Sequence, residues 1–292
     1  MSNIPEDFLR GPPQNAKVHK IDFTQTTPPI PAFKGQFAVV IDNFMTEAES
    51  ASLLKLAQTT TSQNETQWER AMVNAGSGKE VMSVDTRKSG RMIFDSPDIA
   101  QRLLDRLMPF LQDFHIDRVH AMPQVTGLGP TRRGETFRVS RLNERLRFLR
   151  YEGGDYFRPH WDGCYVTPDG KEKSLFTVHL YLNGDGEQDM EELLPEIQRV
   201  EKEAWPWEDG GDEDQVLTDA EAVAHPLTAD PEAKLLGGAT SFIDGFRGDC
   251  VRVFPKAGTV LIFQQRNLMH CGDDVFRGVK YTVRTDVMYT QE

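Results

Sequence analysis

His160 and Asp162 stand two residues apart in the run YEGGDYFRPHWD at 151–162, and a third candidate ligand, His270, sits in MHCGDDVFRGVKYTVR at 269–284. On an extended strand a spacing of two puts both side chains on one face. Two imidazoles and one carboxylate grouped on one side of a metal leave its other positions open. That is the ligand set of non-haem Fe(II) centres that activate dioxygen. Such a metal takes neutral imidazoles and an ionised carboxylate. A His-x-Asp pair alone carries little, because an isolated histidine is most often a packed or solvated residue. The context adds weight: the pair follows a Gly153-Gly154 turn, and a basic residue, Lys280, stands ten positions beyond His270. Cys164 and Cys271 neighbour the candidate ligands in sequence, so a closed four-ligand zinc site is the competing metal reading.

These side chains need strands to hold them. Residues 146–151 alternate in polarity, 156–162 follow across the glycine turn, and LFTVHLYLN at 175–183 is strongly patterned. Further strand-like runs fall at 37–42, 239–243, 251–254, 259–263 and 279–289. Many short strands broken by Gly and Pro turns predict a mainly β fold with an α layer: a double-stranded β-helix (jelly-roll) core flanked by N-terminal helices. For the first helix, Thr46-x-x-Glu49 forms a capping box and the helix runs to about Thr59, with Ala51, Leu53, Leu54 and Leu56 as its packed side. Ser96-Pro97 opens the second, where Ile99, Leu103, Leu107 and Leu111 recur at helical spacing. Pro109 inside that pattern is expected to kink or end the helix. Residues 60–95 read as a loop with short strands near 71–73 and 91–94.

The chain has 292 residues, 38% hydrophobic and 9% aromatic, enough for a sizeable core. Prolines at 5, 12, 13, 28, 29 and 31 mark residues 1–35 as an extended arm laid over the rest. Residues 36–292 read as a single domain interrupted by an acidic insertion at about 184–234. Of the net charge of −12, residues 184–232 contribute 17 acidic against 2 basic side chains, so the remainder is slightly positive. The net charge argues against nucleic acid as the default partner, but the acidity belongs to the insertion and says little about the remainder of the chain. Within it, 191–202 has a helical pattern and the rest promises little order. Trp205-Pro206-Trp207 is either a docking element or a pin onto the core. No apolar run approaches the length of a membrane span, and no secretory pattern opens the chain. Three cysteines imply no disulfide framework. The expected location is cytoplasmic, with the nucleus not excluded. The glycines at 127 and 129 and at 210 and 211 lack the strand-then-helix context of a nucleotide fingerprint.

Taken together these motifs resemble the Fe(II)/2-oxoglutarate-dependent dioxygenases, in particular the prolyl 4-hydroxylase branch. The family run Y-x-x-G-x-x-Y-x-P-H-x-D is matched at Tyr151, Gly154, Pro159, His160 and Asp162, with Phe157 in place of the second tyrosine. The strand at 175–183 is similar to T-x-x-x-Y-L-N. Residues 237–242 are similar to G-G-x-T-x-F, and 255–259 with Phe263 to P-K-x-G followed by a phenylalanine. His270 with 278–281 resembles H…G-x-K-W/Y, and FAVVIDNFMT and Arg87-Lys88-Ser89 also look like that branch. The likeness spans most of 37–289, and the acidic insertion is its main departure.

The resemblance implies that His160, Asp162 and His270 hold Fe(II), and that Lys280 pairs with the distal carboxylate of 2-oxoglutarate. A cation buried in a barrel needs an anion, which a dicarboxylate supplies. By the same likeness Tyr181 bonds that carboxylate. Arg284, on the same strand face as Lys280, meets the other carboxylate, or else pairs with Asp286 or the insertion. Tyr151 looks into the site or packs in the core, and His179 packs rather than ligates. The implied reaction consumes dioxygen and 2-oxoglutarate, releases succinate and carbon dioxide, and hydroxylates an unactivated C–H bond, with ascorbate as candidate reductant. Asp162 leaves no vacated position for a halide, which favours hydroxylation over halogenation. The implied substrate is a prolyl residue, an amino acid or a small metabolite. A catalytically silent jelly roll that binds partners through its acidic insertion is the rival.

Arginines crowd 132–150: Arg132, Arg133, Arg138, Arg141, Arg145, Arg147 and Arg150. If Tyr151 faces inward, period two puts Leu149, Arg147 and Arg145 on the same face. Arg145 and Arg147 are then placed to hold an anionic small-molecule or peptide substrate. The alternative is that they neutralise the insertion. Arg87 and Trp68 are further candidates for a covering loop.

Overall fold

The computed structural model describes residues 4–62, 67–74, 80–204, 230–245 and 249–292. Trp205, Trp207, Gly210 and Gly211, with the rest of residues 205–229 of the acidic insertion, lie outside the described residues. The strands that build the core are β1 (Ala38–Asp42), β2 (Gly90–Asp95), β3 (Thr136–Leu142), β4 (Arg145–Glu152), β5 (Tyr156–His160) and β6 (Glu172–Tyr181). They continue with β7 (Thr240–Ile243), β8 (Cys250–Val253), β9 (Val260–Gln264), β10 (His270–Gly272) and β11 (Val279–Gln291).

Two antiparallel sheets result. The larger runs β1-β9-β6-β11-β4-β2, and the smaller runs β8-β7-β10-β5. Along the chain β4 to β11 pass between the two sheets so that β9-β6-β11-β4 faces β8-β7-β10-β5, which is the double-stranded β-helix expected from the strand pattern. Period two sorts the larger sheet's side chains. Phe176, Val178, Leu180, Val260, Ile262 and Val283 join the core cluster that also takes the helices' Leu53, Leu103 and Leu107. The alternate residues Tyr181, Leu261 and Phe263 pack with Phe242 of the smaller sheet. The alternate face of β6 and β11 also carries Thr177, His179, Lys280 and Arg284 into the cleft between the sheets.

The helical layer is α1 (Glu47–Thr61) and α2 (Pro97–Asp113). Thr46 Oγ1 accepts the Glu49 N–H, and the Glu49 carboxylate accepts the Thr46 N–H, so the capping box forms. Its buried stripe is Ser50, Leu53 and Ala57, spaced three and four apart, and Ala51, expected on that side, is exposed. Helix α2 does not end at Pro109. The buried Leu103, Leu107 and Leu111 hold its last turn against the sheet, outweighing the hydrogen bond that proline removes. A third helix, α3 (Met190–Ala204), falls where the insertion's helical pattern lies, and its Leu193, Ile197 and Val200 pack on Leu236 and Phe276.

The N-terminal residues lie along the core. Lys17–Lys20 pairs with β1, and Leu9, Phe23 and Ile30 are buried. Two arginines of α2 bind their carbonyls: Arg102 Nη1 donates to the oxygens of Pro5 (2.8 Å) and Phe8 (2.7 Å), and Arg106 Nε to that of Gly11 (3.1 Å). Replacing Arg102 with Ala takes the Arg102 donor from the Phe8 carbonyl, removes one of the two donors to the Pro5 carbonyl, which keeps the Phe8 N–H, and breaks the pair with Asp98. The expected loss is about 2 kcal/mol in urea unfolding, with faster proteolysis before residue 12.

Candidate functional site

Strand β5 ends on His160 and its partner β10 begins on His270, and the antiparallel register sets the two directly opposite. Their rings lie 4.4 Å apart between centroids. Asp162, just past β5, brings its carboxylate to 3.9 Å from His160 Nε2 and 3.7 Å from His270 Nε2. One ligand atom from each of the three lies within 4.8 Å of the others, a grouping that can hold a metal ion. Each histidine uses one local device to aim its ring. Nδ1 of His160 donates to the Arg158 carbonyl (2.8 Å) and Nδ1 of His270 to the Leu268 carbonyl (3.2 Å), leaving both Nε2 lone pairs for the centre. Burial, then the neighbouring His270, lowers the His160 pKa to about 3, and burial lowers that of His270. Both rings are neutral near pH 7, the form that ligates a metal.

Burial alone would raise the pKa of Asp162. Arg284, the two histidines and Thr177 reverse it and hold the carboxyl below its ordinary value. Thr177 Oγ1 donates to Asp162 Oδ2 at 2.6 Å, and Arg284 Nη2 lies 2.9 Å from Oδ1.

Lys280 lies deeper in the same cleft, opposite Tyr151 in the β4–β11 register and 1% exposed. Its Nζ is 5.0 Å from the centre of the Tyr151 ring and 5.8 Å from that of Tyr181. Among the described residues no carboxylate pairs with it. Burial, against weaker pulls from Asp273 and Cys271, lowers its pKa to about 8. Gly238 makes room for it: at φ +70, a Cβ there would meet Lys280 Cδ at 3.1 Å and Val275 Cγ2 at 3.0 Å. Tyr181 donates its hydroxyl to Thr240 Oγ1 at 2.7 Å. His179 lines the cleft outside the three-residue cluster, and its buried Nε2 has no partner among the described residues.

The sequence's other candidates divide. Arg284 lines the cleft and pairs with Asp162 and with Asp286 (3.4 Å), so the Asp286 alternative is present alongside the cleft position. Arg147 stands opposite Arg284 and pairs with Asp286 at 3.3 Å. Arg145 does not join them. It is exposed and pairs twice with Asp95 at 3.0 Å, because the β2–β4 register sets Asp95 directly beside it. The described partners of Arg145 and Arg147 are thus Asp95 and Asp286 rather than the insertion, whereas Arg277 pairs with Glu192 of α3. Trp68 rests on the Tyr281 ring at 5.8 Å. Arg87, expected in a covering loop, is buried and enters the cleft, its guanidinium 4.4 Å from the Phe157 ring centre. The cysteines stay out of the ligand cluster. Cys271 Sγ turns to Asp273 (3.2 Å) and Cys164 Sγ to the Ser174 carbonyl (3.0 Å). Sequence reasoning missed the Thr177 bond to Asp162, though Thr177 shares a strand face with His179 and Tyr181.

No family model and no curated protein matches the chain. Among solved structures it is similar to a viral collagen prolyl hydroxylase from Paramecium Bursaria Chlorella virus-1, with 17% identity, a TM-score of 0.43, and coverage of 88% of this chain and 97% of that one. It is similar also to a Pseudomonas putida prolyl-4-hydroxylase, with 15% identity, a TM-score of 0.45, and coverage of 87% and 94%. A third is a Trichoplax adhaerens prolyl hydroxylase in complex with a hypoxia inducible factor peptide, with 12% identity, a TM-score of 0.47, and coverage of 87% and 83%. At such identities a neighbour's substrate does not transfer, and this chain's own residues must carry its chemistry.

Thr177→Val removes the hydroxyl that orients Asp162 while keeping the side-chain shape. The expected result is a folded protein whose divalent-metal affinity drops about 10- to 100-fold by competition with a chelator dye.

Proposed function

We propose that this protein is an Fe(II)- and 2-oxoglutarate-dependent dioxygenase that hydroxylates an unactivated C–H bond of a small-molecule or peptide substrate. One observation supports this above the rest. A fully buried lysine without a carboxylate partner among the described residues shares a cleft with two neutral imidazoles and an ionised carboxylate. A buried ammonium is costly unless an anion accompanies it. A dicarboxylate that reaches from the metal to Lys280 meets that demand. The donor set fits the metal: His160, His270 and Asp162 approach from one side and leave the rest of the coordination sphere to the cleft.

With both bound, Fe(II) and 2-oxoglutarate supply the activation of dioxygen: one oxygen atom enters succinate, the other the C–H bond of the substrate, and carbon dioxide leaves. Ascorbate as reductant belongs to the same proposal. The protein's part is placement and charge. His160, Asp162 and His270 hold the metal, Thr177 and Arg284 keep Asp162 ionised and oriented, and Lys280 holds the distal carboxylate. Tyr151 and Tyr181 wall the lysine off from water. A silent binding module has no use for three converging ligands and a buried cation.

Without added substrate, the iron-loaded protein is expected to form succinate slowly and only in the presence of dioxygen. Lys280→Met is expected to raise the KM for 2-oxoglutarate by at least about 100-fold, the scale of leaving one partner of a buried pair alone. Well-folded, iron-loaded protein that makes no succinate under oxygen sinks the proposal.

The lysine also sets a pH dependence. Only its protonated form attracts a carboxylate, and its pKa in the free protein is lowered to about 8. Affinity for 2-oxoglutarate is therefore expected to be full below pH 8 and to fall above it, approaching tenfold per pH unit. Lys280→Arg, protonated throughout, is expected to flatten the profile. A wild-type profile that stays level to about pH 10 removes Lys280 from the role.

A further inference from the structure

Arg87 and Arg284 line the cleft that holds the His160–Asp162–His270 cluster, Arg147 stands beside them, and the carboxylates paired with these guanidiniums are Asp162 and Asp286. Arg147 and Arg284 face one another across β4 and β11 and share Asp286, which also accepts a hydrogen bond from Gln265 Nε2 at 3.0 Å. Arg284 Nε is buried without a partner among the described residues. Arg87 arrives from a different part of the chain, where Arg87–Lys88 pairs with the edge of β5. It is 8% exposed and lies over the Phe157 ring, beside the metal-ligand strand. Its bonds are to neutral groups, Ser89 Oγ at 3.2 Å and the Met72 carbonyl at 3.4 Å. Among the described residues no carboxylate pairs with it. Burial lowers its pKa, the Tyr151 phenol opposes this, and its charged neighbours Arg284 and Arg91 lower it further. Arg91 is already matched by a two-pronged pair with Glu80.

Like charges gathered in a half-closed cleft are unfavourable unless a ligand answers them. In the sum of charges Fe(II) cancels 2-oxoglutarate, and the negative charge of Asp162, which itself pairs with Arg284, offsets the positive charge of Lys280. Arg87, Arg147 and Arg284 against Asp286 then leave a surplus of two positive charges. We propose that the substrate is a small dianion, a dicarboxylate or a phosphate monoester, whose acidic groups are gripped by the Arg87 and Arg284 guanidiniums, with Arg147 beside them. This rests on the Fe(II)/2-oxoglutarate reading of the site. A guanidinium presents parallel N–H donors that match carboxylate and phosphate oxygens. A peptidyl proline brings no charge to meet the surplus.

The test is calorimetric and independent of turnover. Protein loaded with Zn(II) in place of Fe(II) and saturated with 2-oxoglutarate is titrated with malate and with glycerol 3-phosphate. Their uncharged counterparts, malamide and glycerol, are titrated alongside. At least one dianion is expected to bind ten or more times tighter than its neutral counterpart, and which one does so separates the dicarboxylate from the phosphate ester. Arg87→Gln is expected to weaken that binding at least tenfold, while Arg145→Gln, far from the cleft, leaves it unchanged. The proposal is overturned if neither dianion outbinds its neutral counterpart, or if a folded Arg87→Gln protein binds the dianion as well as the wild type. If Arg87→Gln fails to fold, the comparison of dianion with neutral counterpart on the unaltered protein decides. Failure of Zn(II) and 2-oxoglutarate themselves to bind would strike the parent reading, and failure of the dianions alone strikes only this one.

Discussion

A buried carboxylate that must stay ionised is the constraint on which this structure turns. Asp162 sits between two imidazoles that burial keeps neutral, so neither offers it a full counter-charge. Near pH 7, with both rings neutral, its compensation comes chiefly from the Arg284 guanidinium on β11 and then from the Thr177 hydroxyl on β6. Arg284 is in turn balanced by Asp286. The chain of partners works only in one register. In the β6–β11 pairing Thr177 lies opposite Asp286 and His179 opposite Arg284. A slip of one residue would turn Lys280, Arg284 and Thr177 to the helix-covered face and bring valines toward the His160–Asp162–His270 cluster. The apolar face packed beneath α1 and α2 thus fixes the polar face that lines the cleft.

Much of this was legible in the sequence, for physical reasons. The strands at the heart of the sheets alternate because one face meets the helices and the other the cleft. The helix starts are read from caps, Thr46 with Glu49 and Ser96 before Pro97, whose hydrogen bonds are local. The cluster of His160, Asp162 and His270 was expected from the His-x-Asp spacing and glycine turn together with a later strand histidine and the family resemblance, and the structure brings the three side chains together. What escaped depends on partners distant in the chain. Arg145 looked like a cleft residue because period two gives a face but not where the cleft ends. Arg87 looked like loop cover because a two-residue strand carries no periodicity. Strand β3 lies in an arginine-rich stretch where charge obscures alternation. Pro109 suggested a helix end because proline's local cost is plain, while the burial of Leu107 and Leu111 that offsets it is a tertiary effect.

The distribution of charge carries a related lesson. The net charge of −12 is that of an acidic protein, yet the acidity collects in the insertion while the cleft between the sheets is cationic. Within the described part of the insertion, α3 is held to the core by Leu193 and by the Glu192–Arg277 pair. Whole-chain charge therefore says little about what the cleft attracts, and the local count of buried cations and anions says much.

The most direct measurement is an anaerobic titration of the Fe(II)-loaded protein with 2-oxoglutarate, read by the weak visible charge-transfer band that forms when the ketoacid chelates the iron. The expected result is a saturable band in the wild type, absent from a folded His270→Ala protein. A wild-type protein that is folded and iron-loaded but shows no band at saturating 2-oxoglutarate would contradict the assignment of this cleft as a metal and cosubstrate site.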